Sequence, residues 1–361
     1  MPDPGAWSGS QTIPGLARPG RRGIGRSGPC VVLPFAVFQP LDGYPLHDYQ
    51  ECKPMKLAIF GLGRMGANMA RRLSRGGITV VAHNRSRAPI DELLHEEDHI
   101  VPAYEEADVF RELDGPRVIW LMLPAGAITS QAIERLLPQM SPGDVLVDGG
   151  NSRYSETMAH AERVEAAGVH FLDCGTSGGV WGLKNGYSLM VGGTKAGFAH
   201  IEPAIRVLAP SPDSGWGHVG PAGAGHFTKM IHNGIEYGMM QAMAEGLAVL
   251  RKKSEFDLDL AQVTELWREG SVVQSWLLDL TAEALKQEGQ GLEAIRPHVA
   301  DSGEGRWTAI EAIDLGVAAP VMTLALQMRF ASQDDEGYGN RVLAMMRNAF
   351  GGHVVQRRDE S

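Results

Sequence analysis

At 361 residues, with 43% hydrophobic and 21% charged side chains, the chain has the make-up of a globular protein long enough for two domains. A formal net charge of -10 argues against a general binder of nucleic acid or membrane surfaces, though not against an anionic small substrate met by local cations. Three cysteines, Cys30, Cys52 and Cys174, offer neither metal-ligand spacing nor a disulfide framework, which points to a reducing cytoplasm.

Residues 1–54 carry nine of the 21 prolines and no sustained hydrophobic period. Four arginines followed by CVVLPFAVF imitate a signal peptide, but Pro34 interrupts the apolar run and no small-residue cleavage site follows. The segment is expected to be a disordered extension, or upstream sequence translated from a misplaced start. No run of 18 apolar residues offers a membrane span.

From Met55 the pattern changes. Residues 57–60 form a short apolar run, followed by GLGRMG (Gly61, Leu62, Gly63, Arg64, Met65, Gly66), a helical stretch closing at Gly76-Gly77, and an apolar run at 78–82. A G-x-G-x-x-G turn between strand and helix is a dinucleotide fingerprint. Gly61 permits the turn, Gly63 lets a pyrophosphate approach the backbone, and Gly66 lets helix and strand pack; the helix N-terminus receives the phosphates. After the second strand the chain reads His83-Asn84-Arg85-Ser86, without the carboxylate that grips a ribose 2′-hydroxyl. Arg85 suits a 2′-phosphate, with Asn84 and Ser86 adding neutral hydrogen bonds, so NADP is expected and NAD remains open. The alternative is an Arg85 that is solvated or stacks on the adenine.

Further strands are predicted at 117–123, 144–148 and 169–173. In an open parallel sheet their carboxyl ends face the ligand crevice, which makes Leu123, Pro124, Ala125 and Asn151 candidates for the cofactor side, the alternative being that Asp148-Gly-Gly-Asn is merely a turn. Ser177-Gly178-Gly179 supplies a hydroxyl and backbone N–H groups for an anion.

Residues 223–241, GAGHFTKMIHNGIEYGMMQ, read as a helix. At roughly 100° per residue, Asn233 lies about 40° from Lys229, and Glu236 returns to within about 20°. Base, amide and acid thus line one face, with His232 beside them, and can move a proton in either direction. A solvated face with an intrahelical ion pair is the plainer alternative. Apolar flanks (Phe227, Met230, Ile231, Met239, Met240) and the glycine-rich entry weigh against it.

GLGRMG, DGGN, the SGG loop, GAGHFTKMIHNGIEYG and GEGRWT occur in one order over about 300 residues, and together they resemble the decarboxylating 6-phosphogluconate dehydrogenases of the β-hydroxyacid dehydrogenase superfamily. The SGGVWG form and modest length look like the short branch. The resemblance implies Lys229 as general base and Glu236 as general acid, with Asn233 beside them. It implies that Asn151, Ser177, Gly178, Gly179, His232 and Asn233 hold the sugar acid. Tyr237, Arg306 (where the family has lysine) and Arg329 would meet the phosphate, with Arg347 and His353 from a C-terminal tail that crosses to a partner subunit. No metal is expected.

The fold expected is a Rossmann-type α/β domain over about 55–225, then an all-α substrate and dimerisation domain from about 226, with long helical stretches at 226–252 and 306–333. A homodimer or homotetramer follows from the small helical part. The implied reaction is oxidative decarboxylation of 6-phospho-D-gluconate with reduction of NADP. The rivals are a 3-hydroxyisobutyrate-like dehydrogenase and a catalytically silent NADP-binding protein.

Overall fold

The computed structural model describes residues 55–357, and the expectation for residues 1–54 lies outside them. Eight strands form one sheet among the described residues: β1 (Lys56–Phe60), β2 (Thr79–His83), β3 (Ile100–Ala103), β4 (Val118–Leu121), β5 (Val145–Asp148), β6 (His170–Ser177), β7 (Ser188–Gly193) and β8 (Trp216–Gly220). Their order is β3-β2-β1-β4-β5-β6-β7-β8. All pairings are parallel except β6 with β7. The order reverses at β1, and such a switch point opens a crevice beyond the strand ends.

The first strands are almost wholly apolar because helices cover both faces of the sheet. Leu57 and Ile59 join one core with Val80, Trp120 and Leu172, while Ala58 and Phe60 join the opposite core with Val81, Leu121 and Phe171. The covering helices are α1 (Arg64–Arg75), α2 (Ala88–Glu96), α3 (Glu106–Glu112), α4 (Ala127–Leu136), α5 (Tyr154–Ala166), α6 (Gly182–Asn185) and α7 (Lys195–Leu208). Beyond Gly220 the described elements are all helical: α8 (Ala224–Lys252), α9 (Leu260–Trp267), α10 (Trp276–Glu288), α11 (Glu304–Asp314), α12 (Pro320–Gln333) and α13 (Tyr338–Gly351).

Three expectations need correction. The strand predicted at 169–173 runs on to Ser177, because β7 pairs with it as far as Ser177 opposite Ser188. The stretch 306–333 is two helices, since Gly316 takes a positive φ of 67° and Pro320 restarts the chain as α12. Arg347 lies within α13 rather than in a tail beyond the last helix.

One carboxylate joins the sheet to the helical part. Asp173, fully buried on β6, accepts the backbone N–H of Gly223 at 2.7 Å and of His226 at 2.7 Å, the N-cap and third residues of α8. Gly223 has no side chain with which to cap the helix, so the strand supplies the cap. Burial pushes the Asp173 carboxyl up, while His226 and the two N–H groups pull it back. Replacing Asp173 by alanine leaves both buried donors without an acceptor. The expected loss is on the order of 3 kcal/mol in urea unfolding, with Asp173→Asn losing less because its amide oxygen still serves one donor. Loss of under about 0.5 kcal/mol in both variants would show that water replaces the cap.

Candidate active site

From that cap α8 runs across β6 in close contact. A side chain on Gly175 would come within 2.4 Å of Lys229 Cβ and 2.7 Å of the Gly225 carbonyl oxygen, so only glycine lets the helix approach here. The approach buries Lys229, which is 7% exposed. Lys229 Nζ donates to Asn233 Oδ1 at 2.6 Å and lies 3.4 Å from His232 Nδ1. With its proton on Nδ1, His232 donates to Asn233 Oδ1 at 3.0 Å, and its Nε2 stands 3.4 Å from Ser177 Oγ. The extension of β6 to Ser177 is what places that hydroxyl against α8. Glu236 follows one turn later, half-exposed, with its carboxylate 3.9 Å from His232 Nδ1.

Burial pushes the Lys229 amine down from its ordinary value, while the negative charges of Glu304 and Glu236 pull it up. A lysine lowered in this way can exist as a neutral base. Glu304 belongs to the cluster although the sequence reading passed over it. It opens α11, is 3% exposed, and accepts the Asn233 side-chain amide. Its signal in the sequence is a carboxylate between two glycines at a helix start, in the same GEGRWT motif that drew attention to Arg306.

Further along α8 is a second group. The Tyr237 hydroxyl contacts Asp301 Oδ1 at 3.3 Å and Ser302 Oγ at 3.1 Å. Arg329 lays its guanidinium 3.4 Å from the centre of the Tyr237 ring and donates to the Ala300 carbonyl. Arg306 is paired with Asp301 and stacks over Phe330 at 4.6 Å. Tyr237, Arg306 and Arg329 are thus brought together around Asp301. Arg347 and His353 are exposed, and among the described residues no side-chain bond ties either to these groups; Asn348 does donate to the His353 carbonyl.

The carboxyl end of β1 fits a dinucleotide. A side chain on Gly61 would strike the Met122 carbonyl oxygen at 2.4 Å, and one on Gly66 the Gly61 carbonyl oxygen at 2.0 Å. Around Gly63, the N-cap of α1, a Cβ would meet nothing within 4 Å, and no side chain caps the helix. That open, uncapped N-terminus suits a pyrophosphate. Arg64 and Met65 begin α1, and Leu62 N donates to Asn84 Oδ1 at 3.0 Å. Asn84 Nδ2 is also bonded to Ser86, so Asn84 steadies the glycine turn. Arg85 beside it is exposed. Leu123, Pro124 and Ala125 follow β4 on the same edge, where a side chain on Gly61 would also touch Leu123 at 2.9 Å. Asn151 lies exposed beyond β5, after a turn in which Asp148 accepts the Gly150 N–H at 3.1 Å.

A dinucleotide cradle and a buried lysine at the carboxyl edge of one sheet define a nicotinamide-dependent oxidoreductase. Residues 56–217 match the NAD-binding domain of 6-phosphogluconate dehydrogenase, and residues 225–360 match the C-terminal domain of the same enzyme. The chain belongs to the 6-phosphogluconate dehydrogenase family. It is 40% identical over 306 residues to an NAD(+)-dependent, decarboxylating 6-phosphogluconate dehydrogenase of Haloferax volcanii, covering 85% of this chain and all of that one. It is 34% identical over 287 residues to an NADP(+)-dependent one of Bacillus subtilis, covering 77% of this chain and 61% of that one. The Plasmodium falciparum 6-phosphogluconate dehydrogenase, solved alone, with NADP+ and with 6-phosphogluconate, superposes with a TM-score of 0.73 at 26% identity, over 85% of this chain and 67% of that one. A 3-hydroxyisobutyrate dehydrogenase of Salmonella typhimurium shares the fold at a TM-score of 0.64 and 19% identity.

Proposed function

We propose that this protein oxidises and decarboxylates 6-phospho-D-gluconate to D-ribulose 5-phosphate and carbon dioxide, with NADP as the preferred acceptor and NAD as the alternative. The observation that carries the reading is Lys229, buried, lowered, and held by Asn233 beside Ser177 and His232. The cationic group at Arg306 and Arg329 supports a phosphate-bearing substrate over 3-hydroxyisobutyrate. Tyr237 is eight residues along α8 from Lys229, about 12 Å of helix rise, which separates the phosphate end from the reacting end.

Gly61, Gly63 and Gly66 would hold the pyrophosphate, with Leu62, Arg64 and Met65 around it, and Arg85 and Ser86 the adenosine phosphate. Leu123, Pro124, Ala125 and Asn151 would line the path towards the nicotinamide, which supplies the hydride acceptor when bound. Neutral Lys229 takes the proton of the C3 hydroxyl as C3 is oxidised. In the resulting 3-keto acid, the carbonyl absorbs the electron pair released as carbon dioxide departs. The Lys229 ammonium then stabilises the developing enolate. Glu236 protonates the enediol at C1 of the five-carbon product. Asn151, Ser177, Gly178, Gly179, His232 and Asn233 hold the carboxylate and hydroxyls, and Tyr237, Arg306 and Arg329 the phosphate.

The working unit proposed is at least a homodimer. The described helical part leaves Ile313 73%, Val321 67% and Met345 61% exposed, an apolar surface that a second copy would cover. On α13, Arg347 and, just beyond it, His353 would then serve the partner's phosphate site.

Rates of nicotinamide reduction with 6-phosphogluconate against 3-hydroxyisobutyrate, with each cofactor, test the reading directly. Lys229→Met should keep fold and cofactor affinity yet remove most turnover; a variant with a tenth of wild-type rate would sink the assignment. In wild-type protein kcat/KM should fall as pH drops through the lowered pKa of Lys229, because the base is then protonated.

Arg85→Ala should weaken NADP more than NAD, by about 1–3 kcal/mol for a lost charge-assisted contact. Equal losses for both cofactors would show that Arg85 does not read the 2′-phosphate.

Removing residues 346–361 should raise KM for the phosphorylated substrate and spare NADP affinity. Mixing that truncation with Lys229→Met subunits should restore activity, since one site of each mixed dimer combines an intact base with an intact tail. If mixed dimers form and stay inactive, the tail does not cross.

A further inference from the structure

One ionisable group at the site takes no part in the steps above. Glu304 is among the most buried acids described, yet it faces a lysine across a single amide. Its backbone is fixed from two sides. A side chain on Gly305 would come within 2.5 Å of the Tyr237 ring, and one on Gly234 within 2.5 Å of Thr308 Cγ2, so each helix rests a side chain on a glycine of the other. Thr308 Oγ1 further donates to the Met230 carbonyl at 2.8 Å. The first turn of α11 therefore cannot slide along α8, and its N-terminal dipole favours an ionised carboxyl there.

The bonding sets the direction of the Asn233 amide. Glu304 Oε2 accepts from Asn233 Nδ2, which leaves Asn233 Oδ1 as the acceptor for Lys229 Nζ. An inverted amide would set its NH2 against the ammonium and its oxygen against the carboxylate, both repulsive. No direct ion pair joins Lys229 and Glu304, so the carboxylate acts across the amide. Glu304 Oε1 is buried without a partner, a cost that a merely structural acid would avoid by turning to solvent.

We propose that Glu304 is a positioning residue for the reaction: its carboxylate holds Asn233 with the oxygen towards Lys229, and its charge steadies the ammonium formed when Lys229 takes the substrate proton. The inference rests on the functional reading above and adds a second acid, distinct from Glu236, that never donates to the substrate. Burial raises the Glu304 carboxyl above its ordinary value, with Glu236 adding to the rise, and the charges of Lys229 and His226 offset only part of it. The carboxylate therefore depends on its hydrogen bond from Asn233 and on the Lys229 ammonium across the amide. The other groups facing the pair are known. Glu236, His232 and His226 lie on α8, and Asp173 of β6 stands 4.0 Å from His226 Nδ1. Tyr154 of α5 is turned to Glu311 at 2.7 Å, Arg306 of α11 to Asp301, and Arg329 of α12 to Tyr237.

Glu304→Gln separates orientation from charge, because the amide oxygen can still accept from Asn233 while the negative charge is gone. Without that charge the Lys229 ammonium loses a stabilising neighbour, so the low-pH limb of kcat/KM should move to lower pH. Glu304→Ala removes both roles and should lower kcat about 10²-fold, with KM for 6-phosphogluconate changing far less and the glutamine variant retaining more activity than the alanine one. A titration of the Lys229 amine by NMR in full-length wild type and Glu304→Gln needs no turnover and should show the same downward move. An amine that titrates at the wild-type pH in Glu304→Gln overturns the proposal. Wild-type protein that fails to oxidise 6-phosphogluconate would instead overturn the functional reading, with the NMR comparison still deciding the charge effect.

Discussion

The site depends on one constraint, the landing of α8 on β6. Asp173 caps the helix from within the sheet, and Gly175, Gly192 and Gly225 remove every side chain that would hold the two apart. A side chain on Gly225 would meet the Met190 carbonyl oxygen at 2.4 Å, and one on Gly192 would strike Asp173 Oδ1 at 2.4 Å. The helix that carries Lys229, His232, Asn233 and Glu236 is thus indexed to the strand that carries Ser177. A rotation of α8 by one residue, about 100°, would turn the lysine away from that strand. The catalytic geometry is a consequence of packing between glycines, with the buried carboxylate fixing the register.

The same contact sets the electrostatics. Pressing α8 on the sheet strips water from Lys229 and lowers it, and two acids limit how far it falls. A base lowered without limit would be a poor proton acceptor, and one left in water would be charged at neutral pH. Desolvation is the largest influence on Lys229, so burial sets the direction and the acids trim it. Glu236 and Glu304 divide this labour by exposure. Glu236 is half-exposed and able to reach a substrate, whereas Glu304 is sealed behind Asn233.

Much of this was legible in the sequence. The GLGRMG turn announced the first βαβ unit because each glycine answers a local steric demand, and the Lys229-Asn233-Glu236 face followed from helical period alone. What stayed hidden depends on pairing between distant segments. The strands β3 (IVPA), β7 (SLMVGG) and β8 (WGHVG) are broken by proline, glycine or polar residues and so lack the continuous apolar run that marks β4 and β5. Strand β6 ends at Ser177 only because β7 pairs with it. Asp173 read as the end of a strand and Glu304 as a residue between glycines, since neither shows its partner, 50 or 71 residues away, in local pattern. The helical stretch at 306–333 misled for another reason: an amphipathic period continues across Gly316 and Pro320 although the backbone does not.

The proposed phosphate end is built differently from the proposed reacting end. Lys229 is held by neutral groups in a buried place, whereas Arg306 is already paired with Asp301, on a surface half open to water. Arg306 and the Tyr237 hydroxyl share that one carboxylate, and Arg329 is fixed over the Tyr237 ring. A phosphate arriving here would not meet free cations; it would have to compete with Asp301 for Arg306. Such a competition lowers the affinity the phosphate can supply, but it keeps the guanidinium near its working position and so reduces the ordering needed on binding. Arg306 and Arg329 match the charge of a dianionic group, but with Asp301 counted beside Arg306 the cluster is one positive charge short. In the proposed dimer, Arg347 on the exposed α13 would supply a further cation.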